Sequence, residues 1–204
     1  MDKLSSNSVQ SLYLQSLPLA ALPEEQHDIV LQKLTSALAL RCSNGFCLSE
    51  ETANMYSDIG NILFIKQDYL MAGMHYITAL KIYHAVFQEK IFYNPAIFEN
   101  GFGFKLVNIY MLLGHCLMEQ KDYDNAFKNY LSVIYLCHQS PSSMSPTLIQ
   151  CLTQLSTICL LQNKPDQAER YTCQALRYKA HEGSDPHISF SLSHLSEEFK
   201  KITL

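Results

Sequence analysis

At 204 residues and 48% hydrophobic content, the chain is long enough for one substantial core and too short to require two. Fifteen Lys and Arg against nineteen Asp and Glu leave a net charge of −4 with no basic run, so binding driven by phosphate charge has no source and a nucleic-acid partner is disfavoured. Only 17% of residues are charged, which suits a helical protein that hides some of its surface in a complex, and the seven cysteines, odd in number and set mostly within helical patterns, read as free thiols in a reducing compartment.

Residues 1–22 are polar and then weakly apolar from Leu12 to Leu22, but Asp2, Gln15 and Pro18 do not suit a secretory signal. No stretch reaches the length of a membrane span, so no membrane insertion is expected and the location reads as cytoplasmic. This segment is expected to be a flexible tail or partial cap, and residues 23–204 a single helical domain. Pro23 followed by Glu24 and Glu25 marks a helix start, with Ile29, Val30, Leu34, Ala37 and Leu38 on one face. Ser43, Asn44 and Gly45 end that helix, and Ser49, followed by Glu50, Glu51 and Thr52, opens the next.

A helical hairpin follows at about 51–90. Tyr56, Ile59, Gly60 and Leu63 form one face at helical spacing, and after Gln67-Asp68 a second face holds Ala72, Tyr76, Ala79 and Ile82. Gly60 and Ala72 bury little area; their small size lets two helix backbones approach, with Tyr56 and Tyr76 filling the space beside them. The link from Lys90 to Lys105 sets Phe92, Tyr93, Phe98, Phe102 and Phe104 around a proline and two glycines, a composition that extends the hairpin core or forms a docking loop. A second hairpin at about 105–138 carries Tyr110, Leu113-Gly114, Leu117, Ala126, Tyr130 and Val133, and a third at about 147–180 carries Leu152, Leu155-Ser156, Cys159, Ala168, Thr172 and Ala175.

The repeated order of aromatic, Leu-Gly, Ala and aromatic resembles the tetratricopeptide repeat (TPR). Leu63 replaces the second aromatic of that signature, His84 stands where its closing proline is expected, and Ser156 and Thr172 depart furthest from it. The resemblance implies an all-α fold, a TPR-type right-handed superhelix of antiparallel helical hairpins, or α-solenoid. After the third hairpin, Gly183-Ser184-Asp185-Pro186-His187 resembles the long connection of the kinesin light chain subclass, and a helix from Ile188 to about Lys201 would cap the stack. The function implied is that of a protein–protein interaction scaffold or adaptor holding a peptide segment of a partner protein in its concave groove. The alternatives are a dedicated chaperone for a secreted or assembling protein and a peptide-sensing regulator, though no DNA-binding helix-turn-helix is evident in residues 1–23.

Chemistry has few candidates. There is no Gly-rich phosphate loop, nucleophile elbow or HExxH, and the eight histidines are scattered, so neither enzymatic activity nor a cofactor is expected. His115-Cys116 and Cys137-His138 fall at different angles around their helices, and Cys42 and Cys47 lack a second ligand pair, so no metal site is expected. The resemblance implies a groove lined by the second, fifth, sixth, ninth, twelfth and thirteenth positions of each first helix. From these, Asn54, Asn61, Phe64, Asn108, Met111, His115, Met118, Gln150 and Gln154 are the expected partner-binding residues: amides suit a peptide backbone, and Met offers adaptable apolar contact. The competing reading makes the polar ones merely solvated. Relatives that clamp acidic C-terminal tails use Lys and Arg at positions that here hold Ser57, Gln150 and Gln154, and only Asn61 fits, so such chaperone tails are disfavoured against a neutral peptide.

Overall fold

The structure, a computed structural model, describes residues 23–43, 45, 47–87, 101–140 and 144–180. Among them are seven helices and no strand: α1 (Glu24–Ser43), α2 (Glu50–Ile65), α3 (Tyr69–Phe87), α4 (Phe102–Glu119), α5 (Tyr123–Gln139), α6 (Ser145–Leu161) and α7 (Pro165–Ala180). They fall into two compact units, one holding α1 to α3 and the other α4 to α7. The tail at 1–22, the Gly183–His187 element, the expected cap at 188–201 and the link residues Phe92, Tyr93 and Phe98 lie outside the described residues.

The expected hairpins are present as α2–α3, α4–α5 and α6–α7, and one local device turns the chain in all three. Seven residues after Gly60, Gly114 and Ser156 stand Gln67, Lys121 and Asn163, the three non-glycine residues with positive φ among the described residues, at 62°, 63° and 57°. Each donates its N–H three residues back, and the next residue donates five back, from Asp68 to Leu63, Asp122 to Leu117 and Lys164 to Cys159, at 2.8–2.9 Å. These are Schellman closures, which satisfy helix-end carbonyls that would otherwise be orphaned. Asp68 and Asp122 then serve the following helix: their carboxylates accept the N–H groups of Met71 at 3.2 Å and Asn125 at 3.3 Å. In the third hairpin Pro165 opens the helix instead, where its missing N–H costs nothing.

Packing inside each hairpin follows the small residues. A Cβ on Gly60 would stand 2.7 Å from Cε1 of Tyr76, and one on Gly114 2.9 Å from Cζ of Tyr130, so each glycine is the seat of a buried tyrosine ring. Ala72, Ala79 and Ala126 are fully buried at the same crossings. The third hairpin reaches the same closeness by different chemistry. Ser156 Oγ lies 2.8 Å from Thr172 Oγ1 and 3.0 Å from the carbonyl oxygen of Ala168, so two hydroxyls replace the glycine and ring.

In the first unit, α1 packs on α2 through a mainly polar junction. Arg41 donates to Ser49 Oγ at 3.0 Å and pairs with Glu51 at 3.3 Å, and Lys66 pairs with Asp28. Leu38 and His27 are buried, whereas Ile29, expected on the packing face, is 53% exposed. Among the described residues α1 packs chiefly on α2, and His27 and Leu38 are the residues of α1 that this buries. In the second unit α5 packs on α6, and the two hairpins are tied by an edge-on contact of Phe127 with Tyr171 at 6.0 Å and by Gln162 donating to Asp124 at 2.7 Å. All seven cysteines are free thiols, with Cys116, Cys137, Cys151 and Cys159 buried as small apolar filler. No helix among the described residues is long and apolar enough to cross a membrane.

Candidate partner-binding face

The first helix of each hairpin presents its second position as an amide: Asn54 on α2, Asn108 on α4, Gln150 on α6. What each amide meets depends on the residue that the second helix places opposite it. In the α2–α3 hairpin the Tyr83 hydroxyl donates to Asn54 Oδ1 at 2.6 Å, and one turn deeper the Tyr76 hydroxyl donates to Asn61 Oδ1 at 2.9 Å. Burial pushes the Tyr83 phenol far above its ordinary range, so it remains a donor throughout the physiological range. Both asparagine oxygens are therefore committed within the hairpin.

In the α4–α5 hairpin the same register puts Cys137 where Tyr83 stands and His115 where Asn61 stands. Cys137 is buried, with its thiol pushed up to about 12 by desolvation, and it offers no strong hydroxyl donor. Asn108 Oδ1 is consequently buried with no hydrogen-bond donor from the protein. An acceptor left in that state costs about 1–3 kcal/mol, which a donor from outside would recover. His115 is buried, and desolvation lowers its pKa against a smaller opposing pull from Glu119, so it is neutral near pH 7.

Among the expected groove residues, Asn61, Phe64, Met111 and His115 are between 1% and 7% exposed and belong to the packed interior. Phe64 stacks edge-on against Tyr69 at 5.5 Å, and Met111 Sδ accepts from the Cys151 thiol at 2.9 Å, a contact that joins α4 to α6. Asn54, Asn108, Met118, Gln150 and Gln154 keep partial exposure. Of the link aromatics that are described, Phe102 is buried in the first turn of α4, while Phe104 in the same turn is 43% exposed. The structure thus brings Asn108 and Met118 onto α4 and Gln150 and Gln154 onto α6, two helices whose interiors touch through Met111 and Cys151. Along α6, Thr153 and Thr157 turn their hydroxyls back onto the carbonyls of Ile149 and Thr153, which leaves Gln150 and Gln154 as its amides toward the solvent side.

Sequence reasoning missed the tyrosine partners of the asparagines. The signal was present, since Asn54 and Tyr83 are 29 residues apart, as are Asn108 and Cys137, and the exchange of Tyr for Cys was visible at that offset. No group of three or more His, Cys, Asp or Glu placed to hold a metal ion occurs among the described residues.

Comparison with curated proteins finds no significant sequence match. The crystal structure of BtubC (BKLC) from P. vanneervenii is similar, with a TM-score of 0.63 over 81% of this chain at 17% sequence identity, a likeness of fold alone. The chain spans 62% of that protein's length. The tetratricopeptide repeat family matches residues 105–180, which are α4 to α7 apart from the first turn of α4. The same glycine–tyrosine seat and left-handed turn recur in α2–α3, so the first hairpin is built like the repeats that the family model matches in residues 105–180.

Proposed function

We propose that this protein is a scaffold or adaptor that binds an extended, largely uncharged segment of a partner protein on the face of α4 and α6. Tetratricopeptide repeats serve protein–protein interaction, and the single observation that favours this face is Asn108, whose amide oxygen has no donor in the protein while its counterpart Asn54 is satisfied by Tyr83. A peptide N–H reaching a reoriented Asn108 would supply that donor, and Gln150 and Gln154 add donors and acceptors at the spacing of one helical turn. Met118 contributes a deformable apolar contact beside them. An acidic C-terminal tail is a poor fit, because Ser57, Gln150 and Gln154 carry no positive charge and Asn61 is already bonded to Tyr76.

The test is selection of peptides from a random displayed library on the full chain, followed by titration of the selected sequences. Neutral segments with interspersed apolar residues are expected to be enriched, and the combined Asn108→Ala, Gln150→Ala and Gln154→Ala variant should bind them roughly tenfold more weakly or worse, at about 0.5–1.5 kcal/mol for each hydrogen bond lost. Enrichment of peptides ending in acidic runs, or unchanged affinity in a folded triple variant, would remove this reading.

A further inference from the structure

The cysteines divide sharply by setting. Cys116, Cys137, Cys151 and Cys159 are walled into helix crossings, whereas Cys42 in the last turn of α1 and Cys47 just beyond it are half-buried and exposed. The Cys47 thiol donates to the Cys42 carbonyl oxygen at 3.5 Å, which sets the second cysteine against the backbone of the first. Gly45, with φ of +81°, donates its N–H to that same Cys42 carbonyl at 3.2 Å and folds the chain back between them. A residue with a side chain would be strained there, so the glycine holds the pair together.

From this juxtaposition we infer that Cys42 and Cys47 are a reversible dithiol, oxidised to an intramolecular disulfide by a small-molecule disulfide of the glutathione type. The exposed Cys47 thiolate attacks one sulfur of the oxidant, its S–S bond breaks, and the first thiolate departs to take up a proton. Cys42 then attacks Cys47 Sγ in the mixed disulfide and expels the second thiolate, which is likewise protonated. Two cysteine thiols and one oxidant disulfide become one protein disulfide and two small thiols; the pair loses two electrons and the oxidant gains them.

The location gives the bond a consequence. Arg41, next to Cys42, holds Ser49 Oγ at 3.0 Å, Thr52 Oγ1 at 3.4 Å and Glu51 at 3.3 Å, and Ser49 is the N-cap of α2. A disulfide from 42 to 47 therefore clasps the junction at which α1 is tied to α2, and oxidation tightens the docking of α1.

The experiment is equilibration of the full-length native chain in glutathione buffers of graded ratio, acid quenching, and peptide mass mapping. The expected product is a Cys42–Cys47 linked peptide lighter by two hydrogens, reversed by reductant, while the exposed Cys173 gains only a mixed disulfide. Cys42→Ser should instead trap a glutathione adduct on Cys47. Amide exchange across the C-terminal half of α1 should slow in the oxidised protein and not in Cys42→Ser. A persistent adduct on Cys47 in the unsubstituted chain, or no reaction at either cysteine, would overturn the dithiol; linked protein with unchanged exchange in α1 would overturn the clasp.

Discussion

Two residue types at one position separate the three hairpins. Gly60 and Gly114 each receive a tyrosine ring, while Ser156 meets Thr172 through hydroxyls, so an alanine should be harmful at the first two and mild at the third in steric terms. Alanine gains roughly 0.8–1 kcal/mol of helix propensity over glycine. Against that, its Cβ at 2.7 Å from a fully buried ring that is also anchored through Asn61 must displace packed atoms, and such overpacking costs about 1–3 kcal/mol. Gly60→Ala is therefore expected to destabilise by roughly 1–2 kcal/mol, Gly114→Ala by somewhat less because its contact is 2.9 Å, and Ser156→Ala by about 1 kcal/mol from its lost hydroxyl contacts. Urea unfolding of the three variants checks the order; a stabilised Gly60→Ala would contradict the ring seat. These positions were legible in the sequence because a missing side chain can be read directly as close approach. Asn61, Phe64, Met111 and His115 were not, since helical spacing assigns a direction around the axis but does not say how far a neighbouring helix closes over that side. Their burial is fixed by partners such as Tyr76, Tyr69 and Cys151, which lie 15, 5 and 40 residues from the residues they touch.

At the scale of the element, each hairpin ends its first helix on a left-handed residue that is not glycine. The three residues differ in how well they tolerate that conformation: Asn163 does so through its short polar side chain, while Gln67 and Lys121 carry a Cβ penalty of about 1–2 kcal/mol. Replacing either by glycine removes the penalty and costs roughly 0.5–1 kcal/mol in unfolded-chain entropy. Gln67→Gly and Lys121→Gly should each stabilise by about 0.5–1 kcal/mol and Asn163→Gly by only a few tenths, read as shifts in urea midpoint with unchanged slope. Both exposed side chains leave without breaking a packed contact, which keeps the comparison clean. Sequence pattern located the first turn, at Gln67-Asp68, but not the closure, because left-handed ends announce themselves through glycine and here glycine is absent. The first helix is the opposite case: a regular apolar stripe from Ile29 to Leu38 is clear in the sequence, yet Leu38 is buried while Ile29 is exposed, because among the described residues α1 packs chiefly on α2.

Across the whole molecule, buried and half-buried titratable groups set the range of pH in which the fold is at full strength. His75 and His84 in the first unit and His115 and His138 in the second all have pKa values lowered by desolvation. Unfolded, each takes a proton near pH 6.5; folded, each resists until a lower pH, so between those limits the unfolded chain binds more protons. The stability they contribute is complete above about pH 6.5 and declines as pH falls below it. At the alkaline end the sign reverses. Cys116 and Cys137 are pushed up to about 12 by burial, so above about pH 8.5 the unfolded thiols ionise while the folded ones do not, and stability falls as pH rises toward the folded values. Thermal melting from pH 5 to pH 10 in the presence of reductant should show a plateau between roughly pH 6.5 and 8.5 with a decline on both sides. His115→Gln combined with His138→Gln should flatten the acid limb, and Cys137→Ala the alkaline one, whatever either does to the height of the plateau. Acid and alkaline slopes unchanged in these variants would mean that the groups titrate in contact with water and that the helix crossings around them are open.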